Sequence, residues 1–264
     1  MTDLGSDLHL IRAAALRAGA LAEAERDRGL RIDHKVGGSP VTSADLAVDA
    51  MLKAELLAAR PDYGWLSEET PDTPARLSKS RVFVVDPIDG TVAYMKNQPW
   101  WCVPIAIVED GVPVAAVIHV PALNETFEAT LEGGARLNGR PILASDVDTL
   151  DDAAVLADAR LMEGPHWPEP WPPMRYEKRN ALAYRMALVA SGAFDAAIAL
   201  TPKWDWDVCA GALIATEAGA KVSDHHGRPW RFNQPDPRQA SLVCSAPALH
   251  PLILRRTGPI PLAN

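Results

Sequence analysis

The apolar run Val82-Phe83-Val84-Val85 stops abruptly at Asp86-Pro87-Ile88-Asp89-Gly90-Thr91. β-branched and aromatic residues in so short a run predict a buried strand, Arg81 to Val85, and the proline and glycine force the chain out of it into a tight loop. Two aspartates three positions apart are thus delivered to one strand end. A hard divalent cation seeks such a cluster of oxygens, a backbone carbonyl from the turn included. Gly90 permits close approach of the backbone to a ligand, and a helix starting just after it would offer free N–H groups to a phosphate. An isolated Asp-Gly is usually only a turn. A pair of acids straddling Pro-Ile directly after a buried strand points instead to a site.

The rest of the chain must supply a scaffold for that loop. Its 264 residues suffice for one large domain or two closely packed halves. A hydrophobic fraction of 48% and a charged fraction of 23% are those of an ordinary globular protein. The net charge of −8 argues against a nucleic-acid binder, which needs clustered Lys and Arg. Cys102, Cys209 and Cys244 are far apart, so the expectation is reduced, buried thiols in a cytoplasmic protein rather than a zinc ribbon or a disulfide framework. The start of the chain lacks the basic segment and unbroken apolar stretch of a signal peptide, and no later segment is apolar enough to span a bilayer.

Hydrophobic spacing predicts a helix over 7–29 and a second over Ser43 to Ala59, capped by Thr42 or Ser43 and ended by Arg60-Pro61. Trp101 to Val108 and Val112 to Val120 read as strands joined at Asp110-Gly111, a strong hairpin signal. Thr126 to Leu131 is a further strand, with another hairpin turn at Asn138-Gly139. From about residue 140 strands and helices alternate: strands at Ala153 to Ala157, Phe194 to Leu200 and Ala220 to Ser223, helices at Ala181 to Ser191 and Val208 to Ala218. The expected division is an N-terminal α+β half, 1–140, with a mostly antiparallel sheet, and a C-terminal α/β half, 141–264. His166 to Pro173, rich in Trp and Pro, reads as a stiff connecting loop.

Three further acidic segments add weight to the loop: Val41-Thr42-Ser43-Ala44-Asp45, Ser67-Glu68-Glu69 and Trp206-Asp207-Val208-Cys209-Ala210-Gly211. Taken singly, a solvated turn or an acid stabilising a helix dipole explains each. In the order VTSAD, SEE, DPIDGT, GGARLNG, WDVCAG and TEAGAKVSD, however, the chain resembles the inositol monophosphatase superfamily over about residues 8 to 245. DPIDGT with the downstream WD is the specific part of the match.

The resemblance implies a layered α/β/α/β/α sugar-phosphatase fold and a phosphatase that hydrolyses a small phosphate monoester. It implies that Glu68, Asp86, the Ile88 carbonyl, Asp89 and Asp207 hold two or three Mg²⁺ ions. Asp89, Gly90, Thr91 and Asp207 would contact the substrate, with the Gly90 and Thr91 amides taking phosphate oxygens. Glu68, Asp45 and Thr91 are the implied catalytic residues, the last two activating a water for direct attack with no phosphoenzyme. Phosphoryl transfer suits this set, since it demands charge neutralisation and in-line positioning above covalent chemistry. A homodimer and sensitivity to lithium are also implied.

The chain departs from the inositol-specific pattern at Leu200, where many relatives carry a glutamate that binds ring hydroxyls, and at Val92-Ala93-Tyr94. With Ala183-Tyr184-Arg185 these features lean toward the 3′(2′),5′-bisphosphate nucleotidases. Trp100 and Trp101 are expected to include at least one core residue, Arg160 is a candidate for a second anionic group, and His225-His226 reads as a turn. A Rossmann dehydrogenase is excluded because Gly133-Gly134 lacks the GxGxxG spacing. A haloacid-dehalogenase phosphatase is excluded because the aspartates are DxxD and not DxD. One other class stays open: a regulatory protein on this fold that works by binding a partner.

Overall fold

The computed structural model describes residues 4–35, 37–164 and 167–262; His166, at the start of the Trp-Pro-rich loop, lies outside the described residues. In chain order the first half contains α1 (Leu4–Arg28), β1 (Ile32–His34), β2 (Pro40–Thr42), α2 (Ser43–Ala59), β3 (Gly64–Ser67), β4 (Arg81–Val85), α3 (Thr91–Met95), β5 (Val103–Glu109), β6 (Val112–Val120), β7 (Glu125–Thr130), β8 (Ala135–Leu137) and β9 (Arg140–Pro141). The second half contains β10 (Ala154–Leu156), α4 (Ala159–Met162), β11 (Arg175–Glu177), α5 (Leu182–Ala190), β12 (Ala196–Ala199), β13 (Lys203–Trp204), α6 (Asp205–Glu217), β14 (Lys221–Ser223), β15 (Arg238–Gln239), β16 (Leu242–Ser245) and α7 (Leu249–Thr257).

Strands β3 to β9 form a seven-stranded sheet in sequence order, antiparallel throughout except for the parallel pair β3–β4. Sequence order follows from the hairpin chemistry. Asp110-Gly111 and Asn138-Gly139 both take positive φ, as two-residue primed turns require. One face of this sheet is covered by α1 and α2. Ile11, Ala14, Ala15, Ala18 and Ala22 make a small-residue stripe on α1 at helical spacing, so the helix lies close against β5 and β6, which supply Val103, Ile105 and Val117 to the same core.

α5 and α6 cover the other face. The residues of α6 from Val208 to Ala215 are buried on every side, and a helix that is apolar all round must be enclosed. It is enclosed because a second sheet, ordered β11-β10-β12-β16-β14, packs on its far side. Alternation along that sheet completes the layering. Ala154, Leu156, Ala197 and Cys244 face α5 and α6, whereas Val155, Ile198 and Val243 face outward onto Leu249 and Ile253 of α7. The result is the expected five-layer α/β/α/β/α arrangement of an α+β protein.

Three differences from the sequence reading stand out. The second sheet is mixed, since β16 inserts antiparallel between β12 and β14. α6 begins at Asp205 and not Val208, which moves Asp207 from a helix entrance into the first turn. The strand expected from Trp101 begins at Val103, and Trp101 itself is fully buried with its ring 4.9 Å from that of Tyr94. Trp101 is therefore a core residue; Trp100 is half-buried beneath the Arg179 guanidinium. The loop after His166 contains no helix or strand over 167–173, and Trp167 packs edge-on against Trp171. All three cysteines are buried and free.

Candidate active site

Parallel pairing of β3 with β4 sets Ser67 opposite Val85. The next residue on each strand, Glu68 and Asp86, therefore leaves the sheet at the same level, and the Glu68 amide bonds the Val85 carbonyl at 3.3 Å. Beyond Asp86 the loop is pinned to the start of β5: the Asp89 amide donates to the Cys102 carbonyl at 2.9 Å, and the Cys102 amide returns a bond at 3.0 Å. Asp86 Oδ1 accepts the Ile88 amide at 2.9 Å, which folds the loop over its own carboxylate. Gly90 has φ of 92°, and a Cβ there would lie 3.1 Å from Ala181 Cβ and 3.2 Å from the Trp100 carbonyl. Only glycine makes this bend without strain. It caps α3, whose first amides have no acceptor within the helix.

Thr42 and Asp45 form a capping box at the start of α2, so the stabilising role that helix ends give to acids is real here. It uses only half of the carboxylate. Asp45 Oδ2 accepts the Thr42 amide and hydroxyl at 2.8 and 2.6 Å, while Oδ1 lies 3.3 Å from the Thr91 hydroxyl. Thr91 Oγ1 is also 3.2 Å from the Ile88 carbonyl. The Thr91 hydroxyl therefore touches both the Asp45 carboxylate and the Ile88 carbonyl.

Asp207, in the first turn of α6, accepts the Trp204 amide at 3.0 Å through Oδ2. Asp89 serves the scaffold as well. It is buried and caps the neighbouring helix: its two oxygens accept the Leu182 and Ala183 amides of α5 at 3.1 and 2.7 Å. Cys102 Sγ lies 3.7 Å from Asp89 Oδ2. Glu68 also has a partner that spacing alone did not reveal, since Lys35 Nζ bridges Glu68 and Glu69 at 2.7 and 2.6 Å.

Among the described residues, no group of three or more His, Cys, Asp or Glu side chains is arranged so that it could hold a metal ion as it stands. Glu68 is turned to Lys35 and Asp89 to α5. The electrostatics nonetheless fit a cation. Burial raises Asp86 well above the usual carboxylate range, and the charges of Glu68, Asp89, Asp207 and Asp45 raise it further. Burial also lifts Asp89 to about 7, against the helix amides that lower it, and lifts Asp207 to about 7 with help from Asp89 and Glu68. Asp45 is raised by burial too. Buried carboxylates that raise one another's proton affinity need protons or a cation, and an all-oxygen set with a backbone carbonyl suits a hard divalent ion.

One cavity is lined in part by the cluster, and a second lies within its electrostatic reach. The first, of about 540 Å³, is bordered by Lys35, Glu68, Glu69, Trp204 and Trp206. The second, of about 610 Å³, is bordered by Arg160, Arg185, Leu200 and Lys203. Lys35 and Lys203 were invisible as site residues in the sequence, because a single lysine beside a turn carries no pattern.

The family model for the inositol monophosphatase family matches residues 6–260. The chain belongs to this family. Among curated relatives, it is 32% identical over 236 residues to an inositol-1-monophosphatase of Mesorhizobium japonicum, covering 83% of this chain and 86% of that one. It is likewise 32% identical over 266 residues to a histidinol-phosphatase of Mycobacterium tuberculosis, covering 95% and 97%. Among solved structures, the extragenic suppressor protein suhB of Bartonella henselae superposes with a TM-score of 0.82 at 25% identity, over 95% of this chain and 97% of that one. Inositol monophosphatase family members are generally metal-dependent phosphatases acting on small phosphate esters, which agrees with the carboxylate cluster. No described helix is long and apolar enough to cross a membrane.

Proposed function

We propose that this family member is a Mg²⁺-dependent phosphoric monoester hydrolase that uses direct attack by water. Glu68, Asp86, the Ile88 carbonyl, Asp89 and Asp207 would hold the ions, two or three in number. When bound, Mg²⁺ supplies charge neutralisation and acidifies water. The protein's own part is positioning and proton movement. Thr91 Oγ1 orients the attacking water, and Asp45 Oδ1 receives its proton through that hydroxyl, with Glu68 as the third catalytic residue of the set. The amides of Gly90 and Thr91 hold the phosphate oxygens, and Asp89 and Asp207 border the ester.

The observation that carries this reading is the Thr91 hydroxyl lying within 3.3 Å of Asp45 and 3.2 Å of the Ile88 carbonyl, beside four mutually repelling carboxylates. The reading extends to a substrate that is an inositol or sugar phosphate or 3′-phosphoadenosine 5′-phosphate. It also takes residues 1–140 and 141–264 as two halves that complete the site together, in a cytoplasmic, lithium-sensitive homodimer. The test is phosphate release from a generic monoester with and without Mg²⁺, for the native chain and for Asp86→Asn. Turnover that needs Mg²⁺ and falls at least a hundredfold in the variant is expected. Hydrolysis indifferent to Mg²⁺ would sink the mechanism, and none on any monoester would favour a partner-binding role.

A further inference from the structure

The cavity beside Leu200 is basic in an acidic molecule. Arg160, Lys178, Arg185 and Lys203 border it with one carboxylate, Asp158, so its wall carries +3 while the chain carries −8. Asp158 is committed to Lys178 at 2.6 Å. The other three cations have no carboxylate in salt-bridge contact among the described residues. Lys203 Nζ meets only the neutral Thr201 hydroxyl, at 2.7 Å, and Arg185 donates through Nε to the Arg179 carbonyl. At longer range Arg185 feels Asp89 and Asp158, and Lys203 feels Asp207 and Asp89, so this wall lies within electrostatic reach of the carboxylate cluster.

The occupant's chemistry follows from these contacts. Ile198, Leu200 and Leu161 supply an apolar floor with no acceptor for a ring hydroxyl. A neutral polyol would strip water from three cations and return no charge, a desolvation cost without compensation. An amine would be repelled outright. A second anion on the leaving group would be met by guanidinium and ammonium donors. Resting on the phosphatase reading above, we propose that the preferred substrates are small phosphate monoesters whose leaving group carries a second anionic group, phosphate or carboxylate, held by Arg185, Lys203 and Arg160.

The test uses matched substrates with Mg²⁺ present. 3′-Phosphoadenosine 5′-phosphate is compared with adenosine 3′-monophosphate, and 2-phosphoglycolate with 2-hydroxyethyl phosphate and 2-aminoethyl phosphate. At least a tenfold preference in kcat/KM for the anionic member is expected in one pair or both, carried mainly by KM, with the amine poorest. The first pair reports a second phosphate, the second a carboxylate. In the Arg160→Gln/Lys203→Gln double variant that ratio should fall at least fivefold. Ratios near one in the native chain, or ratios unmoved in the variant, overturn the inference and leave the phosphatase reading standing. A second readout does not need turnover: titration calorimetry of adenosine 5′-monophosphate without added metal, where binding weakened at least fivefold by the double variant is expected. If no monoester is hydrolysed the phosphatase reading falls, and this titration still decides the pocket, since absent or unaltered binding overturns it.

Discussion

Asp89 shows how one side chain can serve both the scaffold and the chemistry. Its oxygens accept two α5 amides and, at Oδ2, the Cys102 thiol, and Oδ1 retains a lone pair for a cation. Replacing it by Asn should cut turnover by orders of magnitude, as loss of a metal ligand would. It should also remove one α5 cap, because the new NH₂ faces an amide N–H. An unsatisfied buried donor costs about 1–3 kcal/mol, offset in part by removal of a strained buried charge. Asp207 accepts a single amide, which the Asn oxygen can keep, so Asp207→Asn should lose similar activity at little cost in stability. Thermal melts of the two variants beside their turnover check this; equal melting losses would mean that the α5 cap is worth nothing. At this scale, Asp86, Asp89 and Thr91 were legible because each needs a specific neighbour in sequence. Lys35, Arg185 and Lys203 were not, because what makes them matter is a carboxylate or a cavity more than thirty positions away or across the second sheet.

At the scale of elements, the capping box of α2 ties stability to chemistry in a second place. Thr42 holds Asp45 Oδ2, which aims Oδ1 at Thr91. Thr42→Ala should cost about 1 kcal/mol as a lost N-cap, and should lower turnover about tenfold by releasing the Asp45 carboxylate. Thr42→Ser keeps the hydroxyl and should restore most of both. Urea unfolding and initial rates on one monoester measure the pair; an Ala variant with normal turnover would argue that Asp45 needs no positioning. Elements of this kind were readable ahead of the structure. Asp110-Gly111 and Asn138-Gly139 dictate their own hairpins, and Thr42 announces its helix. The order of the second sheet was not readable. β16 reaches its place between β12 and β14 through contacts that no local spacing encodes, and the enclosed helix α6, apolar on all faces, hid its true start at Asp205.

Across the whole molecule, the carboxylates from both halves set a balance between protons, cations and stability. Asp89 and Asp207 hold protons up to about 7 when folded, against about 3.9 for an ordinary aspartate. The folded state therefore binds more protons than the unfolded state between these values. Stability contributed by these groups falls as pH rises from about 4 through about 7, and the destabilisation is complete above that. A divalent cation reverses the sign of their interaction but must displace the protons first. Mg²⁺ at a hundred times its dissociation constant stabilises by about 2.7 kcal/mol, which for a chain of this size is about 5–10 °C in melting temperature. At one fixed Mg²⁺ concentration the upward shift should thus be full at pH 8 and much smaller at pH 5.5. Asp86→Asn should shrink it at both. Differential scanning calorimetry with EDTA and with Mg²⁺ at the two pH values reads all four numbers. A shift equal at both pH values, or untouched by the substitution, would place the cation elsewhere on this acidic surface.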